Sequence, residues 1–477
     1  MSESFHFLEF SLVVVLAYYA NRSAGWRRAV LLLANVAFLA TFYQGVAAYV
    51  PLAAFFLLSY AGLQFIRWRP RHAFVPVLIA TIAAFIWLKK YAFVPPSLFL
   101  QFAYVTVGLS YILFRVLHLM IDARSGAVPG RISVLSFFNY TTSFTTLVAG
   151  PIQPYQDYRI TEDPAARPPL RGQDVFEGLE RVIRGLFKTN ILALVLSTLH
   201  TRMIETVTAN PPDGVKFWAG ILMFVLYPLF IYCNFSGYID IVIGVSRLLG
   251  VALPENFVRP FAATNIIDYW SFRWHITLSA WLRTYVYNPL LVAWMRRFPA
   301  KGMESVWAVL AFFETFFLVG VWHGQTAEFI FYGFLLGLGV SVSKIYQILM
   351  IRQIGRKRYR ALEKNWLYLS VARGMTFTWV AFTLAWFWSS WPPDSGTGSS
   401  SRNRDASGGS SRAFRRFHHR AGVLGGSLRA NRDSALEWRA IAIPMFADCL
   451  EYGAYRGDRG REFVDEPAAP AIVYKAF

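Results

Sequence analysis

Two histidines stand in surroundings that suit catalysis. His323 closes a largely apolar run, residues 311–324, in which the only polar residues before it are Glu314 and Thr315. His275 lies in a segment that mixes polar and aromatic residues, 268–279. A histidine at membrane depth is costly to bury, and it is usually kept where it transfers protons or faces a polar cavity. The pair therefore indicates a catalytic site, although position alone also allows a helix-packing role for His323.

The chemistry that these residues suit is proton abstraction from a hydroxyl. A hydroxyl is a poor nucleophile at neutral pH, and imidazole, with a pKa of roughly 6.5, is the natural base for it. Desolvation favours the neutral imidazole, which is the form that accepts a proton. We therefore expect His323 to act as the base, and His275 to orient the acceptor, stabilise an oxyanion or share the proton. A structural role for His275, bonded to Ser279 or Asp268, is the alternative.

Polar and aromatic residues around the two histidines are candidates for holding the substrates. Arg259 and Arg283 suit binding of phosphate groups, although they could equally pair with Glu255 or Asp268. Asn256 is expected to line the cavity. The predicted catalytic residues are His323 and His275, and the predicted substrate-binding residues are Asn256, Arg259, Trp274, Ser279, Arg283 and Trp322.

The composition indicates a protein with many membrane segments. Of the 477 residues, 55% are hydrophobic and only 16% are charged, whereas a soluble protein carries about 25% charged residues. The hydrophobic residues come in long blocks, which predicts an all-α polytopic membrane protein. The formal charge of +19 comes largely from short loops, as the positive-inside bias requires, so no nucleic-acid partner is predicted.

Other residue types suggest neither a metal site nor a disulfide framework. Only two cysteines occur, Cys233 and Cys449, and Cys233 lies in an apolar run where it suits packing. His118 is also flanked by apolar residues and is predicted to be a packing residue. We therefore expect no metal and no tightly bound cofactor, only a donor that binds and leaves.

Twelve apolar segments divide the first 391 residues, and ten or eleven of them are predicted to enter the membrane. Several are shorter than the ~20 residues that span a bilayer, so they are expected to be tilted, re-entrant or interfacial. The first, residues 8–20, lacks a basic region before it and is predicted to remain as a membrane helix. The segments are residues 8–20, 29–42, 48–66, 73–88, 98–121, 134–148, 191–199, 217–233, 239–251, 306–321, 329–350 and 367–391.

Charges in the first loops predict the orientation. Three arginines follow the first segment between residues 22 and 28, and three more lie between 67 and 71. The loop between these two, around Gln44, has no basic residue. The alternation places the N-terminus outside and the two arginine-rich loops in the cytoplasm. Lys89 and Lys90 fall in a loop that should be external, and both could snorkel from their helix end.

Three stretches differ from simple membrane segments. Residues 175–188 repeat apolar side chains at helical spacing opposite charged ones, which predicts an interfacial helix lying on the membrane. Residues 253–289 are too polar for a lipid-facing span and are expected to be shielded inside the protein or to lie at the interface. Residues 392–477 are rich in Ser, Gly and Arg, which predicts a disordered or aberrant tail after a membrane domain of residues 1–391.

Five motifs in order resemble the membrane-bound O-acyltransferase family, in particular its bacterial branch. Any one of them is weak, but their order around two histidines is specific, and the resemblance covers roughly residues 108–391. The family's intramembrane histidine matches His323, and its upstream position matches His275. The motifs are Val148-Ala-Gly-Pro-Ile152, Asn234-Phe-Ser-Gly-Tyr-Ile-Asp-Ile-Val-Ile-Gly244, Leu253-Pro-Glu-Asn-Phe-Val-Arg-Pro-Phe261, Arg273-Trp-His-Ile-Thr-Leu-Ser-Ala-Trp-Leu-Arg283 and Gly320-Val-Trp-His-Gly324.

The resemblance implies membrane helices around a tunnel, and acyl transfer from a cytoplasmic thioester to a hydroxyl. The donor would be acetyl-CoA or an acyl-carrier protein, and the acceptor a cell-envelope or secreted polysaccharide, reached directly or through a periplasmic acyltransferase partner. The location would be the bacterial inner membrane. D-alanyl transfer to teichoic acid from a carrier-protein thioester is the nearest alternative. A proton-coupled transporter is the alternative of another class, although no repeat of two halves is evident.

Overall fold

The computed structural model describes residues 2–388, except residues 44, 92, 129, 163–169, 301 and 325. The predicted tail, 392–477, and the domain boundary before it lie outside these residues. In the described part, the secondary structure is helical apart from one isolated antiparallel bridge between Phe257 and Trp274. The prediction of an all-α fold is confirmed.

Sixteen α-helices follow one another in the described part of the chain, with short 3-10 or π segments between some of them. The helices are α1 Ser2–Tyr19, α2 Ala24–Ala40, α3 Val50–Trp68, α4 Pro70–Leu88, α5 Leu109–Ser125, α6 Val134–Thr141, α7 Tyr155–Glu162, α8 Gly172–Phe187, α9 Ala193–Thr208, α10 Asp213–Leu248, α11 Ile266–Phe272, α12 Ile276–Leu282, α13 Asn288–Arg297, α14 Glu304–His323, α15 Ala327–Leu362 and α16 Trp366–Leu384.

Six helical stretches among the described residues are long and apolar enough to cross a membrane. The sequence pattern predicted ten or eleven membrane segments, and the difference lies in the shorter ones, such as the apolar stretch Phe5–Tyr19 within α1. The six are Val46–Trp68, Pro70–Leu88, Gly172–Thr208, Asp213–Leu248, Glu304–His323 and Ala327–Leu362.

Helix α5 runs through the core. Every residue from Leu109 to Met120 is buried, including the guanidinium of Arg115. That group donates to the carbonyls of Tyr140 at 3.1 Å, Thr141 at 3.0 Å and Thr146 at 3.1 Å. A buried cation needs such acceptors because it has lost its water. Arg115 therefore holds the irregular chain after α6 against α5.

Helix α8 packs closely on α10 through glycines. A Cβ on Gly185 would lie 2.5 Å from the carbonyl oxygen of Gly237, and one on Gly244 would lie 2.6 Å from that of Gly178. The predicted amphipathic helix of residues 175–188 is present, but it does not end at Lys188. A π segment, Lys188–Leu192, joins α8 directly to α9, and together they form one of the six apolar stretches.

Acidic residues on and after α10 hold the same helix pair by charge. The buried carboxylate of Asp240 accepts from Arg181 at 3.0 Å and from Lys188 at 2.7 Å. Arg181 also pairs with Glu255 in the chain that follows α10. Because two cations surround the carboxylate of Asp240, its burial is compensated. These ion pairs hold the segment between α10 and α11 against α8.

Helices α14 and α15 form a tight hairpin directly after His323. Gly320 faces Gly333, and a Cβ on Gly320 would collide with the backbone of Gly333. Gly324 is covered by the ring of Phe329, which leaves no room for a Cβ there. The packing of this hairpin fixes the position of His323, because that residue is the last of α14.

Candidate active site

The backbone at His275 is strained and is held in place by the preceding chain. His275 has φ 47° and ψ 50°, in the left-handed region that residues other than glycine rarely adopt. The amide of Ile276 donates to the carbonyl of Asn256 at 3.1 Å. The side-chain oxygen of Asn256 accepts from the amide of Thr277 at 3.1 Å and from its hydroxyl at 2.9 Å. Asn256 thus anchors the first turn of α12, and so fixes the direction in which His275 leaves the chain.

Three of the sequence motifs meet at this turn. The hydroxyl of Thr277 also accepts from the amide of Ile152, at 3.1 Å. Phe257 and Trp274 form the antiparallel bridge, and the amide of Val258 donates to the carbonyl of Arg273 at 3.0 Å. Residues 148–152, 253–261 and 273–283 therefore build one rigid corner.

The imidazole of His275 is deeply buried among aromatic rings. Its exposure is 2%. Its Nε2 lies 3.5 Å from the hydroxyl of Tyr111 on α5, and the ring of Phe235 packs edge-on at 5.2 Å. No hydrogen-bond partner is found for its Nδ1 in the described part of the chain. His275 lies outside the six apolar stretches, and burial lowers the pKa of its imidazole, so the ring is neutral at neutral pH.

His323 ends α14 inside a second group of rings. Its exposure is 6%. The ring of Trp322 lies 4.7 Å away, that of Phe387 lies 5.2 Å away and that of Tyr332, on α15, lies 5.8 Å away. Gly324 has an extended backbone and ends α14 directly after His323. Helix α14 thus places the imidazole of His323 in the protein interior.

Tyr111 and Trp322 connect the two histidines. Tyr111 reaches His275 with its hydroxyl, and its ring lies 6.3 Å from that of Trp322, which in turn contacts His323. Helices α5, α12 and α14 therefore bring the predicted pair into one site.

The remaining predicted residues divide into buried and exposed groups. Trp274 is buried and stacks on Tyr269 at 5.5 Å, and Ser279 is buried one turn after His275. Arg259 and Arg283 are exposed instead. The carbonyl of Arg259 accepts from the side chain of Arg273, and the guanidinium of Arg283 lies over the ring of Phe272. The structure brings Asn256, Trp274, Ser279 and Trp322 to the histidines, and turns Arg259 and Arg283 toward the surface.

The structure also shows which partners the carboxylates of Glu255 and Asp268 have. Asp268 pairs with Arg273 at 2.8 Å, and Glu255 pairs with Arg181. The two carboxylates that Arg259 and Arg283 might have paired with are thus taken by other cations. Asp268 is likewise engaged elsewhere than at His275.

Two tyrosines near the site were missed by the sequence analysis. Tyr111 contacts His275, and Tyr269 carries a buried hydroxyl with no hydrogen-bond partner among the described residues. Tyr111 lies in an apolar run of α5, where a tyrosine gives no signal in a linear sequence. The only hint in the sequence is general: a buried tyrosine hydroxyl usually finds a hydrogen-bond partner.

His118 belongs to a separate polar network rather than to simple packing. Its Nε2 accepts from the amide of Tyr155 at 3.0 Å, and its Nδ1 lies 2.5 Å from the hydroxyl of Tyr285. That hydroxyl donates to Asp122 at 3.2 Å, and Gln156 donates to the same carboxylate at 2.7 Å. The network joins α5, α7 and the π segment after α12.

Comparison with known proteins assigns the chain to a family. A sequence model described as MBOAT, membrane-bound O-acyltransferase family, matches residues 55–387, well over half of the chain. The chain belongs to the membrane-bound O-acyltransferase family. It is therefore an O-acyltransferase and a membrane protein, and both histidines lie inside the matched region. The resemblance seen in the sequence motifs is confirmed.

Relatives of the acyltransferase have two kinds of name. The teichoic acid D-alanyltransferase of Bacillus subtilis is 28% identical over 290 residues, which cover 60% of this chain and 69% of that relative. The probable alginate O-acetylase of Pseudomonas fluorescens is 27% identical over 342 residues, covering 71% and 65% of the two chains. That of Pseudomonas putida is 26% identical over 393 residues, covering 79% and 76%. The acyltransferase thus matches about two thirds to three quarters of each relative's length.

Proposed function

We propose that the acyltransferase moves an acyl group, acetyl in the first instance, from a cytoplasmic thioester to hydroxyls of a cell-envelope or secreted polysaccharide. The observation that carries the proposal is the convergence of His275 and His323 on Tyr111 and Trp322 in the interior of a membrane-bound O-acyltransferase. A proton-transferring pair at that position suits hydroxyl activation. The proposed location is the bacterial inner membrane, where a cytoplasmic donor and an external acceptor can reach one site.

In the proposed reaction, His323 is the general base. It removes the proton of the acceptor hydroxyl as that oxygen attacks the thioester carbonyl. The new carbon–oxygen bond forms and the carbon–sulfur bond breaks. The thiolate then takes up the proton held by the imidazole and leaves as the thiol, so the enzyme returns to its starting state. The burial of His323 supports this role, because a neutral imidazole is the form that accepts a proton.

His275 and Asn256 are proposed to hold the reacting carbonyl. Both present a buried nitrogen, Nδ1 of His275 and Nδ2 of Asn256, that lacks a hydrogen-bond partner among the described residues. An unpaired buried donor costs free energy unless a ligand satisfies it. Donors fixed in advance at a developing oxyanion lower the barrier without reorganising. The left-handed backbone at His275 and the hydrogen bonds of Asn256 to Thr277 supply that fixed geometry.

The other predicted contacts enter the proposal with different roles. Trp274, Ser279 and Trp322 are proposed to shape the buried cavity around the donor and the acceptor. Arg259 and Arg283 are exposed, so a contact with donor phosphates would be made at the surface. No cofactor other than the acyl donor is needed by this mechanism.

The relatives' names favour acetylation and keep D-alanyl transfer as a second candidate. Two relatives are called probable alginate O-acetylases, and one matches 79% of this chain. The relative that is 28% identical is called a teichoic acid D-alanyltransferase, which supports the second candidate. Membership in the family favours either reaction over proton-coupled transport.

Transfer of a labelled acyl group by the full chain in proteoliposomes tests the proposal. Parallel reactions would contain acetyl-CoA, acetyl-carrier protein or D-alanyl-carrier protein, each labelled in the acyl group. The acceptors would be alginate and teichoic acid, with and without a periplasmic extract. We expect base-labile label in alginate from an acetyl donor. Label found only in teichoic acid from the D-alanyl donor would replace the first candidate with the second. Movement of an ion with no labelled product in any reaction would overturn both.

A further inference from the structure

Helix α15 breaks near its end and folds back on itself. Gly355 has φ 80° and ψ 155°, which no helix contains and which glycine adopts at little cost. Lys344 and Glu363 line the same groove, of about 590 Å³, whereas a straight helix would separate them by about 28 Å. The hydroxyl of Tyr346, before the break, lies 3.3 Å from the hydroxyl of Tyr368 on α16, after it. The break therefore creates a concave corner at the end of an apolar stretch.

The corner is strongly basic. Its groove is lined by Lys344, Arg352, Arg356 and Arg360, against the single acidic residue Glu363. None of these four cations forms an ion pair in the part of the chain that the structure describes. The three arginines are exposed. Arg181, Arg184, Arg247 and Arg273, by contrast, are paired with carboxylates, so this groove presents charge that an external anion can neutralise.

Apolar side chains line the groove beside the cations. Ile348 and Ile351 lie on the same face of α15 as Lys344, and with Tyr359 they form the apolar part of the groove wall. Trp366, at the start of α16, is 76% exposed. Tryptophan is enriched at the boundary between hydrocarbon and water. A ligand that fits both surfaces has an anionic head and apolar chains, which a soluble phosphate lacks.

We propose that this groove binds the head group of an anionic phospholipid. The phosphate oxygens accept hydrogen bonds from Arg352, Arg356 and Arg360, since guanidinium groups match phosphate in two-pronged geometry. The acyl chains lie along the face that carries Ile348 and Ile351. Clusters of basic residues next to a membrane helix attract anionic lipids in this way. The site lies on α15, whose hairpin with α14 positions His323, so the bound lipid would brace that hairpin.

Lipid titration of the purified full chain tests the proposal. Native mass spectrometry would count bound phosphatidylglycerol and, separately, phosphatidylcholine. We expect preferential binding of phosphatidylglycerol, weakened about tenfold or more in R352Q/R356Q/R360Q. The control K357Q/R358Q/R296Q removes the same number of exposed charges outside the groove lining and should bind like the original chain. Single glutamine substitutions would show graded losses if the triple variant does not fold.

Soluble anions form the decisive second arm of the experiment. Glycerol phosphate and coenzyme A carry phosphate without the two acyl chains, so we expect neither to displace the lipid at equal concentration. Displacement by either would make the groove a soluble-phosphate site and overturn the lipid assignment. Equal binding of the two phospholipids, or equal losses in the groove variant and in the control, would overturn it as well.

Discussion

Asn256 and Thr277 are joined by two hydrogen bonds to one oxygen. The side-chain carbonyl of Asn256 accepts from both the amide and the hydroxyl of Thr277, and Asn256 is completely buried. Thr277 stands two residues after His275, so this pair fixes the strained corner that carries the imidazole. The contact spans separate sequence motifs, and it explains why an amide side chain stands at position 256.

Replacing Asn256 with Ala should impair acyl transfer by displacing His275 and by removing the Nδ2 donor. The change removes the one oxygen that accepts both bonds and leaves the amide of Thr277 buried without a partner, at a cost of about 1–3 kcal/mol. Thr277→Val is the comparison, because it keeps the amide of Thr277 bonded to Asn256 but deprives the amide of Ile152 of its acceptor. Each variant thus leaves one buried amide without a partner, and we expect both to lower the thermal midpoint in detergent, with the larger loss of turnover in Asn256→Ala. Similar turnover in the two variants would show that Asn256 does not position His275.

Replacing His323 with Ala should abolish acyl transfer while insertion and purification stay normal. Loss of a general base typically costs about 10²–10⁴-fold in rate. His275→Ala should impair transfer as well, by the loss of a fixed donor. His200 offers the comparison, since it is a buried histidine that packs on Tyr227 and Trp388. His200→Ala should retain transfer in the fraction that folds. Normal turnover in His323→Ala would remove the base role.

Replacing Gly320 with Ala should lower activity by moving His323. The added Cβ would meet the backbone of Gly333, so α14 must shift against α15, three residues before the histidine. Gly374→Ala is the control, because nothing lies within 4 Å of the Cβ it would add. We expect a lower thermal midpoint and lower turnover for Gly320→Ala, and a midpoint unchanged or slightly raised for Gly374→Ala. Equal behaviour of the two variants would mean that the hairpin tolerates separation.

The arginine-rich loops should lie in the cytoplasm. Single cysteines would replace Arg22, Arg69 and Gln44 in a chain whose own two cysteines have been removed. A membrane-impermeant maleimide added to intact cells should label position 44 and leave positions 22 and 69 unlabelled until the membrane is opened. The physical reason is the positive-inside bias. Labelling of position 69 from outside would reverse the orientation of the first helices.

The tail should be dispensable. Its Ser, Gly and Arg content cannot bury enough apolar surface to offset the entropy of ordering. Truncation after Pro393 should leave insertion, stability in detergent and acyl transfer unchanged. A short apolar cluster within residues 435–450 is the one feature that could dock on the rest of the protein. A loss of stability in the truncated chain would show that this cluster does so.

The histidines could be predicted from the sequence because their signals are local. A histidine after a long apolar run, and another among tryptophans and arginines, stand out within a dozen residues. The contact of Tyr111 with His275 could not be predicted, since the two are far apart along the chain and tyrosine is common in apolar runs. The role of Asn256 depends on the left-handed backbone at His275, which no spacing reveals.

The number of membrane segments shows where apolar pattern alone misleads. Residues 134–148 look like one segment, but only α6 is helical, and the chain after it is held by the buried guanidinium of Arg115. Helix α5 is apolar because it is surrounded by protein. Apolar periodicity cannot distinguish a buried core helix from one that faces lipid. Length does not decide the matter either, because α16 is as long as α4 and yet is not among the six stretches.

The left-handed backbone at position 275 sets a conflict between stability and reactivity. Glycine would adopt that conformation at lower free energy, so a chain optimised only for folding would carry glycine there. The protein carries histidine there instead. The Phe257–Trp274 bridge and the hydrogen bonds of Asn256 hold the strained backbone in place. Laboratory evolution toward heat resistance should therefore drift toward glycine at this position, and the stabilised proteins should lose acyl transfer as they do so.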